Sequence, residues 1–322
     1  MNNQYLISVD LGGTKILSAL IDSKAQIVYR YKIPTEMSKG KNGLVISIAE
    51  SISKVLSDNH LYENDIRAVC LGVPGTVNPS SGIIGNAPNL GIKNFNIKEA
   101  LAKFISIPIL IENDVNLAGL GIKKNEFKDA VKNMLVVAIG TGIGGALFFD
   151  GKIYRGSSFY AGEIGHMLVE PKGKLSSKSK SASFESAASR TAMVKEIQSE
   201  IRKGKKSILS EFKSPSKPIK SKNLQLAIKK KDTVAVKHVT KASKTIGTIL
   251  GSITTLLNLD TIVLCGGVIE ALDDFMMPII NKSFKKAVLE EPGKSVKVVA
   301  TKLGDDAALY GGIALADEFL GN

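Results

Sequence analysis

Asp10, in "VDLGGTK", closes an apolar run and is followed at once by Gly12, Gly13, Thr14 and Lys15. A carboxylate delivered to the end of a buried strand stands where ligands of open α/β sheets bind. The two glycines let backbone approach an anion closely, and Thr14 and Lys15 add donors beside it. A second turn of this kind is "AIGTGIGGAL", in which Gly140, Gly142, Gly144 and Gly145 surround Thr141. A third pair, Gly266-Gly267 in "LCGGV", falls where a strand meets a helix. Neither of the first two is a Walker A loop, because no Gly-Lys-Ser/Thr follows. Neither is the dinucleotide fingerprint, because the glycines join two strands and no helix opens there. One glycine pair alone is a tight turn, but two such turns in corresponding places, with the third, could grip both ends of a nucleotide.

"IENDVNLAG" adds Asn113 and Asp114 before an apolar helix. They can be read as a cap that accepts the helix's free N–H groups. They can also be read as chemistry, with Asp114 at a strand end, facing the glycine turns and accepting a proton from a substrate hydroxyl during phosphoryl transfer. The pattern itself leaves both readings open.

The elements that must position these residues alternate. "YLISVDLG", "KILSALID" and "QIVYRYKI" predict three strands joined by tight turns. "GLVISIAESISKVLSD" has helical spacing, with Leu44, Ile48, Ile52 and Val55 on one face. "IRAVCLGVP" predicts a buried strand ended by Pro74, followed by a Gly/Pro/Asn-rich loop over 74–91, a helix ("NIKEALAKF"), a strand ("PILIE") and the helix after Asn113-Asp114. From about residue 133 the strand–glycine turn–strand pattern returns, with an Asp150-Gly151 hairpin signal. A long helical stretch over 184–259, broken near Pro215 and Pro218, then leads to "TIVLCGG", a helix, "VKVVAT" and a final helix, "DAALYGGIALADEFL". Both halves open alike, as a duplicated nucleotide-binding α/β fold would, with helices on mixed sheets.

A chain of 322 residues is long enough for two α/β domains, since single cores stop growing near about 250–300 residues. No apolar run reaches the roughly 18 residues of a membrane span. Cys70 and Cys265 each sit in an apolar run and read as core thiols rather than a bridge. With no leader pattern before Tyr5, a cytoplasmic protein is expected. The net charge of +13 is confined to one region: residues 170–244 carry 20 Lys and Arg against 6 Asp and Glu. Aromatics are nearly absent there, so no base-stacking platform accompanies the charge and no specific nucleic-acid partner is expected. A solvated helical face with its loops is the reading, with a general attraction for polyanions beside it.

In order along nearly the whole chain, "DLGGTK", "GVPGTVNPSSGIIGNAPNLG", "ENDVNLAG", "IGTGIGGALFFDGKIYRG", "AGEIGHM", "LCGG" and "LGDDAALYGG" resemble the ROK-family sugar kinases. The resemblance implies a two-lobed actin/hexokinase-like (ribonuclease H-like) fold of mixed sheets flanked by helices, with nucleotide and sugar in the interdomain cleft. A small domain over 1–116, completed by a C-terminal helix near 305–322, and a large domain over 117–304 are expected. The cofactors implied are ATP and Mg²⁺. Asp10 and the Gly12, Gly13, Thr14 and Lys15 turn would meet phosphates and the magnesium shell. Gly140, Thr141, Gly142, Gly144 and Gly145 would form the second phosphate loop, with Gly266 and Gly267 near the adenosine. Asp114 would be the catalytic base. Gly75, Asn89, Asn113, Asp114, Glu163, His166 and Glu185 would hold the sugar.

Glucose is the substrate expected, with N-acetylmannosamine, N-acetylglucosamine and fructose as alternatives. So are a sugar-binding protein with degraded catalysis and polyphosphate as donor. Repressors of this family carry an N-terminal helix-turn-helix, which is not expected here with nine residues before Asp10. A homodimer that binds only sugar and ATP, away from membranes, is the expected assembly.

In the family the stretch after Gly165-His166 usually carries zinc in the pattern H-x9-C-x-C-x4-C-x-E. Laid on His166, that spacing falls on Ser176, Lys178, Ser183 and then Glu185, so the spacing persists and every thiolate is gone. Tetrahedral zinc needs four close N, S or O donors, and a lysine ammonium would repel the cation. The family's usual glutamate is also replaced, by Ile122. Elemental analysis of the purified protein should find no stoichiometric zinc, and zinc chelators should leave it folded; about one zinc per chain would mean a different ligand set.

Overall fold

The computed structural model describes residues 5–37, 40–169, 183–212 and 218–321. The chain divides into two compact units, one of Met1–Ala130, Ile153–Ala161 and Asp305–Asn322, the other of Val131–Lys152 and Gly162–Gly304. The first unit begins with an antiparallel meander of β1 (Tyr5–Leu11), β2 (Lys15–Ile21) and β3 (Ile27–Pro34). Helix α1 (Gly40–Asp58) then buries Leu44, Ile48, Ile52 and Val55 completely, the face its spacing predicts. After β4 (Ile66–Val73), short strands β5 (Thr76–Asn78), β6 (Ile83–Ala87) and β7 (Ile92–Asn96) make a separate antiparallel sheet. The expected loop over 74–91 therefore contains two strands: strands this short show no period, and pairing with residues beyond the segment decides them. Helix α2 (Ile97–Leu101), β8 (Ile109–Asn113) and α3 (Asp114–Ile122) complete this part. The main sheet has order β3-β2-β1-β4-β8, with β1, β4 and β8 parallel.

The second unit repeats the opening with β9 (Met134–Ile139), the glycine turn and antiparallel β10 (Ile143–Phe149). Asp150 and Gly151 both take positive φ, 49° and 77°, and turn the hairpin into β11 (Lys152–Tyr154). Helices α4 (Phe184–Ala188), α5 (Arg190–Arg202), α6 (Ser221–Lys229) and α7 (Thr233–Leu257) follow. The breaks fall at Ser189, at Gly204 (φ 90°) and at Lys231–Asp232, not at prolines alone, because caps and a left-handed glycine end helices as firmly. Pro215 lies outside the described residues, and Pro218 precedes α6. Strand β12 (Thr261–Cys265), helices α8 (Gly267–Ala287) and α9 (Glu290–Ser295) and strand β13 (Lys297–Ala300) close a sheet of order β11-β10-β9-β12-β13. Cys70 and Cys265 are both buried, and neither is in a disulfide. Among the described residues no helix is long and apolar enough to cross a membrane.

Helix α10 (Asp306–Leu320) returns to the first unit and packs along α3. That contact keeps residues 117–130 with the first unit, beyond the boundary at 116 expected from sequence. The helices touch backbone to backbone: a Cβ on Gly121 would lie 2.0 Å from Ala307 O, and one on Gly311 would lie 1.8 Å from Leu117 O. No rotamer relieves such a clash, so Gly311→Ala should destabilise the protein by about 3 kcal/mol in chemical denaturation. A change under about 0.5 kcal/mol, the range of an ordinary surface substitution, would show that the two helices separate easily.

Candidate active site

Parallel register brings the first unit's candidate residues together. Asp10 of β1 faces Gly72 of β4, and Gly72 faces Glu112 of β8, with Asn113 next along the strand. Two interstrand spacings separate Asp10 from Glu112, roughly 10 Å. Gly72 has no room for more, since a Cβ there would meet Leu117 Cδ2 at 2.9 Å and Asp114 Cα at 3.6 Å. Asp10, near the end of β1, and Asp114, just past the end of β8, therefore lie at the same carboxyl-terminal end of one sheet.

Asn113, not Asp114, is the helix cap. Its Oδ1 accepts Asn116 N–H at 2.9 Å, and its Nδ2 donates to Gly75 O at 2.8 Å. Asp114 is the first helical residue, its Oδ1 2.9 Å from the N of Val115. Gly75 holds φ 93°, and a Cβ would fall 2.2 Å from Asn86 O, so the backbone that receives Asn113 admits no other residue. Asn89 stands exposed on the turn Pro88–Leu90 after β6.

Asp10 is half-buried, beside the Lys15 Nζ–Asp305 Oδ2 ion pair of 2.7 Å. Burial raises its pKa to about 6, with Lys15 pulling down and Asp305 pushing up. The turn it precedes is tight: Gly12 N–H donates to Lys15 O at 2.8 Å and Thr35 Oγ1 donates to Gly12 O at 2.6 Å. Gly13 and Thr14 are exposed at its tip.

The second unit assembles the other set. Gly140 N–H donates to Gly142 O at 2.9 Å, closing the turn between β9 and β10, and Gly144 and Gly145 follow within β10. Gly266 has φ 88° and lies against the end of β9, where a Cβ would meet Ile139 O at 2.8 Å. Gly267 begins α8 beside it. Glu185 supports the turn: its Oε2 accepts Ile143 N–H at 2.9 Å and would lie 2.3 Å from a Cβ on Gly142.

Glu163 and His166 ride a short turn pressed on β10. Gly162 and Gly165 allow this, since a Cβ on either would come within 2.1 Å of a β10 carbonyl, that of Gly145 or Ile143. His166 has 78% of its side chain exposed, which rules out a core histidine, and its Nε2 is 3.7 Å from Glu163 Oε2. Burial pushes the Glu163 carboxyl up, with His166 opposing and Glu185 adding to the rise. Of the former zinc spacing, Ser176 and Lys178 lie outside the described residues; Ser183 caps α4 by accepting Ser186 N–H.

Sequence reasoning missed Arg190. Its Nη2 donates to Thr141 Oγ1 at 2.6 Å, its N–H donates to Gly140 O at 3.0 Å, and Thr191 Oγ1 donates to Thr141 O at 2.7 Å. A guanidinium thus stands on the second glycine turn. The available signal was its place in the first turn of α5, where the helix dipole disfavours a cation.

Residues 6–318 match the ROK family. The chain belongs to that family, and its fold is that of the actin/hexokinase-like ATPases. It is 30% identical to a glucokinase of Halalkalibacterium halodurans over 97% of this chain and 94% of the relative. The structure of a ROK family glucokinase from Streptomyces griseus, in complex with glucose and AMPPNP, superposes with a TM-score of 0.82 at 26% identity, covering 98% of this chain and 99% of that one. A xylose repressor of Caldicellulosiruptor bescii is 21% identical over 96% of this chain and 77% of its own length.

Because the folded protein holds Asp10 near 6 rather than 3.8, it favours the neutral acid. This contribution to stability is present below about pH 4 and lost as pH rises through about 6. Asp10→Asn should therefore melt at the same temperature as wild type near pH 4. In the absence of nucleotide, its advantage should grow through pH 4–6 to roughly 1–3 kcal/mol and stay constant above. A variant less stable than wild type at pH 8 in calorimetry would contradict the buried-carboxylate account.

Proposed function

We infer that the protein transfers the γ-phosphoryl group of ATP to the hydroxymethyl group of a hexose, glucose before others. The observation that carries this reading is that Asp10 on β1 and Asp114, directly after β8, lie at the same end of one sheet, their parallel strands separated by β4. That arrangement puts a carboxylate suited to the phosphate's cation and a carboxylate suited to the sugar hydroxyl at the same end of one sheet. The glucokinase relative and the glucose–AMPPNP structure support the choice of donor and sugar.

Phosphoryl transfer asks for positioning and charge neutralisation more than for covalent chemistry. The backbone N–H groups of the two glycine turns, with Lys15 and Arg190, suit phosphate oxygens. Asp10 suits a divalent cation riding on ATP: a half-buried carboxylate, raised by burial, gains its charge when a cation arrives. Mg²⁺ there would neutralise phosphate charge. Asn113, Glu163, His166 and Glu185 offer amide, carboxylate and imidazole partners to sugar hydroxyls. As the sugar oxygen bonds to the γ-phosphorus and the bond to the bridging oxygen breaks, Asp114 takes the hydroxyl proton and ADP leaves.

Asp114→Asn tests the assignment cleanly, because Asn113 already caps α3 and the variant removes only the carboxylate. Turnover with ATP and Mg²⁺ should fall about 10²–10⁴-fold, while the melting temperature and sugar affinity by calorimetry hardly move. A variant retaining more than about a tenth of wild-type turnover would refute the base assignment.

A further inference from the structure

Directly before Asn113 and Asp114 lies Glu112, whose side chain is 1% exposed. A buried carboxylate must be fully satisfied or it destabilises what surrounds it. Glu112 Oε2 accepts Arg155 Nε at 2.6 Å, and its Oε1 accepts both Asn113 N–H at 2.9 Å and Asn116 Nδ2 at 3.0 Å. Each acceptor bond is made to the turn that presents Asp114 or to Arg155. Arg155 belongs to the segment Ile153–Ala161 of the same unit. Its other face is held by Glu318 of α10 in a two-bond fork, Nη1 to Oε1 at 2.7 Å and Nη2 to Oε2 at 2.8 Å. The Phe319 ring lies 5.8 Å from the guanidinium carbon. Burial opposes the charge, but Glu318 and Glu112 together push the Arg155 pKa up, so the group stays cationic.

We propose that Arg155 is a positioning residue for phosphoryl transfer: it orients the Glu112 carboxylate, which fixes the Asn113 backbone and the Asn116 amide and so sets where Asp114 points. This rests on the kinase reading above. A guanidinium suits the task because its planar fork serves two carboxylates at fixed angles, which an ammonium cannot do. If the pair were only structural, its loss would lower stability and leave the chemistry alone.

The experiment compares Arg155→Lys with Arg67→Lys, since Arg67 pairs with Asp317 of the same helix α10 and does not touch the end of β8. Both should lose some melting temperature. Arg155→Lys should lower kcat with glucose at least tenfold and raise the KM for glucose, with the KM for ATP within twofold of wild type. Arg67→Lys should keep wild-type kinetics. Arg155→Ala, if it folds, should regain part of its turnover on addition of millimolar guanidinium, which a purely structural role would not produce. The proposal is overturned if Arg155→Lys keeps full kcat while Asp114→Asn is inactive. If the wild-type protein phosphorylates no hexose, the kinase reading fails and the amide resonances decide. Asn113 and Asp114 shifting more than Asp10 in Arg155→Lys upholds the positioning role, and equal or absent shifts overturn it.

Discussion

The parallel register of β1, β4 and β8 is the constraint on which the rest depends. It brings the carboxyl ends of three strands far apart in sequence together, with Asp10, Gly72 and Glu112 side by side and Asn113 next along β8. A slip of one residue in any of these ladders would send the side chain to the opposite face, so the site is specified by the burial of the sheet itself. Helix α10 fixes the far side, clasping α3 through Gly121 and Gly311 and holding Arg155 through Glu318. The C-terminal helix is therefore tied through Arg155 to Glu112, the residue directly before Asn113 and Asp114.

Several site residues stand where stability alone would not place them. Asp10 is a carboxylate that burial resists ionising. Arg190 sits at the wrong end of a helix for a cation. Gly75, Gly162 and Gly266 hold positive φ at points where any Cβ would strike backbone. Local conflicts of this kind are expected where a sequence answers to ligands as well as to its fold.

Much of this was legible because it is local. The buried face of α1 follows from helical spacing, the Asp150-Gly151 hairpin from two residues that tolerate positive φ, and the strand–glycine turn–strand openings from runs next to glycines. What escaped depends on partners distant in sequence. The small sheet of β5, β6 and β7 exists by cross-strand pairing, the arrangement of Arg155 between Glu112 and Glu318 spans most of the chain, and Arg190 meets Thr141 from 49 residues away. Asn113 and Asp114 show the limit at its sharpest. The sequence allowed a cap or a base, and the fold gives the cap to Asn113 rather than Asp114.

The most direct test of the account is the identity of the product. Incubation of the protein with ATP, Mg²⁺ and uniformly ¹³C-labelled glucose, followed by ³¹P and ¹³C NMR, reads which oxygen receives the phosphoryl group. A new phosphate ester whose phosphorus couples to C6 is the expected result. Phosphate on the anomeric carbon, or release of inorganic phosphate with the sugar unchanged, would contradict it.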